Sequence, residues 1–153
     1  MTKKSTLYYM IMISTVLFVL DRFTKHLALF YCVPRCTLTP FLSFDLAFNR
    51  GISWGMFHTE STGLFYAITI LIVGVTLSVA WHAYERLQSG HQIWGELLII
   101  TGSTSNILDR FIHAGVIDFI ELSCGQWAWP LFNFADFYIV IGILIMLIPL
   151  YHE

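Results

Sequence analysis

Charge is what this chain has least of. Only 12% of its 153 residues are Asp, Glu, Lys or Arg, while 57% are hydrophobic and the mean hydropathy is +0.71. A soluble domain carries about 25% charged residues, so a water-facing globular surface and a disordered chain are both excluded. Cations are scarce as well. Eight Lys and Arg against ten Asp and Glu leave a net charge of −2, which offers no basic surface to phosphates and excludes nucleic acid as a partner. Three cysteines are too few for a disulfide scaffold. Two catalytic motifs are missing: there is no H-E-x-x-H for zinc and no G-x-S-x-G nucleophile elbow. The six histidines are scattered rather than convergent. What remains is a small integral membrane protein, with residues 1–153 forming one domain.

Long uncharged runs are what it has most of. A helix crosses a bilayer core about 30 Å thick with about 20 apolar residues. Ser61 to Trp81 is a run of 21 without charge or histidine. Ser5 to Leu20 is uncharged and stops at Asp21. Phe137 to Tyr151 reaches crossing length if it begins near Pro130, which puts Asp136 in its first turns. Ile93 to Leu108 is the most interrupted, by Glu96 and by the polar stretch Thr101 to Asn106. The pattern predicts an all-α bundle of four transmembrane helices, near residues 5–23, 61–84, 93–110 and 131–151. Lys3 and Lys4 ahead of an apolar stretch resemble a signal peptide. Asp21-Arg22 follows with no small-x-small cleavage site, so the segment is expected to remain as the first helix. Tyr8, Tyr9, Trp81, Tyr84, Trp94, Trp127, Trp129 and Tyr151 fall where membrane interfaces should lie.

Four alternating crossings put both termini on one side, here termed inner. Residues 22–60 and 109–129 then lie on the outer side. Asp21, Asp45, Glu60, Asp109, Asp118, Glu121 and Asp136 are outer; Glu85, Glu96 and Glu153 are inner. The cations do not orient the chain: Lys3, Lys4 and Arg86 are inner, while Arg22, Lys25, Arg35, Arg50 and Arg110 are outer. The outer segment 39–57 is rich in aromatics and broken by Pro40 and Gly51. It predicts a small β-like subdomain of two or three strands between spans one and two.

An ionised side chain at membrane depth costs several kcal/mol, so a functional role is its default reading. Asp136, in Asn133-Phe134-Ala135-Asp136-Phe137, and Asp118, in Val116-Ile117-Asp118-Phe119-Ile120, stand out because no cation is near either in sequence. Two carboxylates brought together share a proton. One can take a proton from water while the other protonates a carbonyl, which hydrolyses a peptide bond without metal or covalent intermediate. Plainer readings stand beside this one. Asn133 or Asp136 could cap the fourth helix, Asp118 could be a solvated loop acid, Asp109-Arg110 a plain interfacial pair, and Asp21 with Lys25 an i,i+4 pair on one helix face. The two aspartates could also be relay acids of a non-enzymatic proton-conducting or assembly subunit.

Five blocks occur in order: Asp21-Arg22-Phe23-Thr24-Lys25, Asn49-Arg50-Gly51-Ile52-Ser53-Trp54-Gly55, Ser105-Asn106-Ile107-Leu108-Asp109-Arg110, Val116-Ile117-Asp118-Phe119, and Trp129-Pro130-Leu131-Phe132-Asn133-Phe134-Ala135-Asp136. In this order, and over nearly the whole chain, they resemble lipoprotein signal peptidase, also called signal peptidase II. The resemblance implies an aspartic endopeptidase of the bacterial cytoplasmic (inner) membrane, with its site near the outer leaflet. Its substrates would be prolipoproteins cut before a diacylglyceryl-modified cysteine, and globomycin would inhibit it. Membrane lipids would be partners, and the protein would be a monomer needing no metal or organic cofactor. Asp118 and Asp136 take the catalytic positions. Asn49, Gly51, Asn106, Arg110 and Asn133 would orient the substrate, with Asp21, Lys25 and Asp109 supporting the site. Two departures stand out. Thr101 to Asn106 replaces the family's usual Gly-Gly-Ala-x-Gly-Asn, with Ser105 for the Gly before Asn, which predicts slightly looser packing there. Ser53-Trp54 stands where Ala-Phe is common.

Overall fold

The computed structural model describes residues 3–51 and 61–148. The expectations for Ile52 to Gly55, for Glu60 and for the end of the fourth span beyond residue 148 lie outside the described residues. The order of elements is α1 (Lys3–Tyr31), β1 (Cys36–Thr39), β2 (Leu42–Asn49), α2 (Thr62–Gln88), α3 (Trp94–His113), β3 (Val116–Cys124), β4 (Trp127–Ala128) and α4 (Phe134–Leu147). Two helices, α1 and α2, are long and apolar enough to cross a membrane.

The polarity of the bundle is inverted. Along α1 the buried positions are Met10, Asp21, Lys25 and Ala28, one stripe at helical spacing that Cys32, just past its end, continues. Val16, Val19, Leu20, Phe23 and Phe30 on the other faces are exposed. On α2, Ile70 is 71% and Leu77 64% exposed, whereas Asp21, Lys25, Asp109 and Asn133 are completely buried. Water would not tolerate that arrangement, in which apolar side chains face out and ionised ones face in. The first helix is longer than its uncharged run suggests. Asp21 does not end it, because Asp21 and Lys25 point into the bundle and pair there, and the helix runs on to Tyr31, before Pro34.

Helices α3 and α4 touch backbone to backbone. A Cβ on Gly95 would sit 2.8 Å from the Gly142 carbonyl oxygen, and one on Gly142 would sit 2.6 Å from that of Gly95. One heptad along, Gly102 meets the Ala135 carbonyl in the same way. Small residues seven apart on both helices therefore set this close approach.

The sheet differs from the expectation of strands confined to the segment between the first two spans. It is four-stranded and antiparallel, in the order β1-β2-β3-β4, and half of it comes from the segment before α4. Val116 to Ile120 is buried at every position, so this strand carries an apolar run without alternation. Residue 118 thus lies in a buried strand and not in a solvated loop. Ala28 of α1 and Cys32 just after it pack with Ile117, Phe119 and Ile120, which fixes the sheet beneath the end of α1.

Candidate active site

Strand register supplies the first contact. Ala47 lies opposite Asp118, and Asn49 lies two residues further along the same face of β2. From that diagonal position the Asn49 Nδ2 donates to Asp118 Oδ2 at 3.0 Å. Its Oδ1 accepts from the Gly51 N–H at 2.8 Å, which fixes the orientation of the amide.

Helix capping supplies the second. Asn133 is the N-cap of α4. Its Oδ1 accepts from the Asp136 N–H at 2.9 Å, and its own N–H donates to Asp136 Oδ2 at 3.3 Å, forming a capping box. The Asn133 Nδ2 donates to Asp118 Oδ1 at 2.7 Å. One asparagine therefore bonds to both acids, and the capping reading and the paired-acid reading of these residues describe the same contacts.

The third arm comes from α1. The Lys25 ammonium, completely buried, donates to Asn106 Oδ1 at 2.7 Å and pairs with Asp21 Oδ2 at 3.0 Å and Asp109 Oδ2 at 2.8 Å. Because Lys25 holds the oxygen of Asn106, the amide nitrogen must face the other way, and it donates to Asp136 Oδ1 at 2.8 Å. Asp109 also pairs with Arg22 and accepts from the Ile117 N–H at 3.3 Å. Asp21 Oδ1 accepts from the Ala135 N–H at 2.8 Å. Arg110, 3% exposed, donates from Nη2 to the Gly51 carbonyl oxygen. Its Nε and Nη1 have no hydrogen-bond partner among the described residues. Its guanidinium lies 5.4 Å from the centre of the Phe65 ring, with that of Arg50 at 5.0 Å from the same ring.

All ten residues singled out in the sequence thus fall into one hydrogen-bonded network. Their parts differ from the expectation in one respect: Asn49, Asn106 and Asn133 each have both ends of the amide engaged within the network and hold the acids directly. Four further participants are not among those ten. Arg22 and Arg50 read only as outer cations, Ser105 as a small replacement, and Phe65 as one more apolar residue of a span. Arg22, Arg50 and Ser105 each stand inside a motif block beside a singled-out residue, which is a usable signal, whereas Phe65 has none.

Burial pushes the Asp118 carboxyl up to about 7, and the charge of Asp136 adds to the rise. The amides of Asn49 and Asn133 and the charge of Lys25 pull it partly back. Asp118 is 2% exposed and faces the network, whereas Asp136 is half-buried and borders two cavities. One, of about 360 Å³, is lined by Leu122, Trp129, Phe132, Phe137 and Val140. The other, of about 280 Å³, lies against Leu71, Val75 and Ile139, with Asn106 and Arg110 at its polar end.

An inverted helical bundle capped by a small sheet, with two carboxylates tied together at the junction, defines a class: membrane-type helical proteins with a paired-acid site. Comparison with known proteins narrows it. Residues 13–152 match the model of the family described as signal peptidase (SPase) II, and the chain belongs to that family of peptidases. It is 34% identical over 141 residues to the lipoprotein signal peptidase of Burkholderia mallei (strain SAVP1), covering 88% of this chain and 82% of that protein. It is 33% identical over 136 residues to that of Janthinobacterium sp. (strain Marseille), covering 85% and 80%. A solved structure described as a bacterial membrane enzyme, obtained by the in meso method at 2.3 Å resolution, shares the fold. The TM-score is 0.75 over 94% of this chain and 88% of that one, at 24% identity.

Proposed function

We propose that this chain is an aspartic endopeptidase that spans the bacterial cytoplasmic membrane four times. It removes the signal peptide of prolipoproteins by cutting before the diacylglyceryl-modified cysteine. The observation that carries this reading is Asn133, which bonds Asp118 at 2.7 Å and caps Asp136 at 2.9 Å, so both acids are held at one point. Asp118, buried and protonated near neutrality, donates its proton to the scissile carbonyl oxygen. Asp136, which faces the cavities, takes a proton from the attacking water. The resulting hydroxyl adds to the carbonyl carbon; then the C–N bond breaks as the leaving amine takes the proton that Asp136 received and a hydroxyl of the tetrahedral intermediate returns a proton to Asp118. Arg110 carries donors that are unfilled among the described residues, at the polar end of one cavity, which supports a part in orienting the substrate. The apolar walls on either side of Asp136 suit a substrate that arrives within the bilayer, with a hydrophobic signal segment and acyl chains.

A proton relay is less well supported. Asn49, Asn106 and Asn133, which ring the acids, are not proton carriers at neutral pH, and the helix seam below Asp136 is built from Gly102, Ile99, Gly95 and Gly142, none of which titrates. The test uses the purified protein in detergent with a diacylglyceryl-modified precursor. Asp118→Asn and Asp136→Asn should each slow cleavage about a thousandfold. Cleavage at the wild-type rate by either variant would remove the paired-acid mechanism.

A further inference from the structure

We propose that Ser105 is a positioning residue for Asp136, acting through Asp21; this rests on the paired-aspartate reading of the site. Ser105 is completely buried on α3, and its hydroxyl donates to Asp21 Oδ2 at 2.5 Å. The side chain is enclosed and bonded. Arg22 Nη1 donates to the Ser105 carbonyl oxygen at 3.3 Å and to its hydroxyl oxygen at 3.4 Å. With Arg22 on its lone pair, the hydroxyl hydrogen is directed at Asp21.

Asp21 receives three donors. Ser105 and Lys25 share Oδ2, and the Ala135 N–H takes Oδ1. Ala135 is the second residue of α4, and Asp136 follows it. Its N–H is one of the four that a helix start leaves without an intrahelical partner, so a carboxylate from α1 closes the first turn of α4 from outside. A carboxylate held by Lys25 alone can swing about that contact, because an ammonium has no directional plane. The second donor on Oδ2 fixes the plane and keeps Oδ1 on the Ala135 N–H. The Ser105 hydroxyl therefore sets where the first turn of α4 sits, and with it the carboxyl of Asp136 relative to Asp118. A glycine or alanine at position 105 leaves Asp21 held by Lys25 and the Ala135 N–H, with one contact fewer to fix its plane.

The experiment compares Ser105→Ala and Ser105→Gly with the wild type on a fluorescent diacylglyceryl-modified precursor peptide. Ser78→Ala on the exposed face of α2 is the control. A hydrogen bond to a charged acceptor supports an expected fall in kcat of about tenfold, with KM within about twofold and a modestly lowered unfolding midpoint. Ser105→Gly should match Ser105→Ala in kcat, since both lose the hydroxyl contact, with a somewhat lower unfolding midpoint because glycine weakens a helix interior. In an Asp21→Asn background, Ser105→Ala should cost little more. Wild-type kcat in Ser105→Ala overturns the proposal. So does a Gly variant far worse than the Ala variant and falling with its unfolding midpoint, which would mark a packing role. An equal loss with and without the Asp21 carboxylate also overturns it. If Asp21→Asn does not fold, the Ala–Gly comparison decides alone. Asp136→Asn is run alongside: an active Asp136→Asn removes the paired-acid reading itself, whereas an inactive one with an unaffected Ser105→Ala removes only the positioning role.

Discussion

Four acids converge between α1, α3, β3 and the start of α4, and the cations do not serve them equally. Lys25 contacts both Asp21 and Asp109, and Arg22 takes Asp109 as well. Asp118 is left with amide donors from Asn49 and Asn133 and, among the described residues, no cation in contact. Burial first, and the charge of Asp136 second, raise its carboxyl to about 7, against the pull of those two amides and of Lys25. The sign of the stability effect follows. An unfolded aspartate titrates near about 3.9, so between that value and about 7 the folded chain binds the extra proton. Folding stability from this group is therefore lost as pH rises through the window. An amide in place of this carboxyl does not titrate. The gap in unfolding midpoint between Asp118→Asn and the wild type should widen in favour of the variant from pH 5 to pH 8, and wild-type cleavage should decline above about pH 7. A gap that stays constant over that range would show a carboxyl that ionises at the ordinary value. Lys25 shows the opposite side of the arrangement: it is the shared counterion of two fully buried carboxylates, and losing one member of such a cluster costs about 3–5 kcal/mol.

At the scale of elements, the site depends on how closely α3 approaches α4. Asn106 on α3 must reach Asp136 on α4 at 2.8 Å, one turn from the Gly102–Ala135 contact. Gly142 lies at the far end of the seam, away from both acids. Gly142→Ala puts a methyl against the Gly95 carbonyl and Ile99, so the helices must part by a few tenths of an ångström or more. The expected result is a loss of about 1–3 kcal/mol in stability and a lower kcat, although no site residue has changed. Unaltered thermal unfolding together with unaltered cleavage would show that the seam is not tight. The same elements show what a sequence can reveal. The ten site residues are legible because a polar side chain in an apolar run has few reasons to be there. The seam is legible only as small residues, because Gly95 and Gly142 acquire meaning from each other across 47 positions of chain. The sheet is half legible. The β1–β2 hairpin shows its turn at Pro40, but Val116 to Ile120 has no alternation to mark it as a strand, since both of its faces are covered. The length of α1 is hidden for a related reason. Charges at positions 21 and 25 read as a membrane boundary when they are a buried pair in mid-helix. Ser105 is the least legible, because its importance lies in a partner 84 residues away.

At the scale of the molecule, polar chemistry is gathered at two ends of an apolar body. One end holds the acids and the sheet. At the other, Glu96, 2% exposed in the first turn of α3, pairs with Arg86 of α2 at 3.0 Å. Glu96, which interrupts the third apolar run, is thereby neutralised at the end where α2 and α3 are joined by a short turn. If all four helices cross the bilayer with the site outward, the sheet and the α2–α3 turn lie on opposite sides of the membrane. The chain carries its own reporters. Cys36 and Cys124 are exposed on the sheet, while Cys32 is buried in the core beneath it. In intact cells a membrane-impermeant maleimide should label Cys36 and Cys124. With both replaced by serine, Ser89→Cys in the turn after α2, an exposed position, should label only after permeabilisation. Labelling of Ser89→Cys in intact cells, with the sheet cysteines silent, would reverse the orientation. Equal labelling of both sets would mean that α2 does not separate them. The reversed orientation would leave the peptidase fold in place and move its acids to a surface where a translocated precursor does not arrive, whereas equal labelling would leave the acids outward and remove only the crossing by α2.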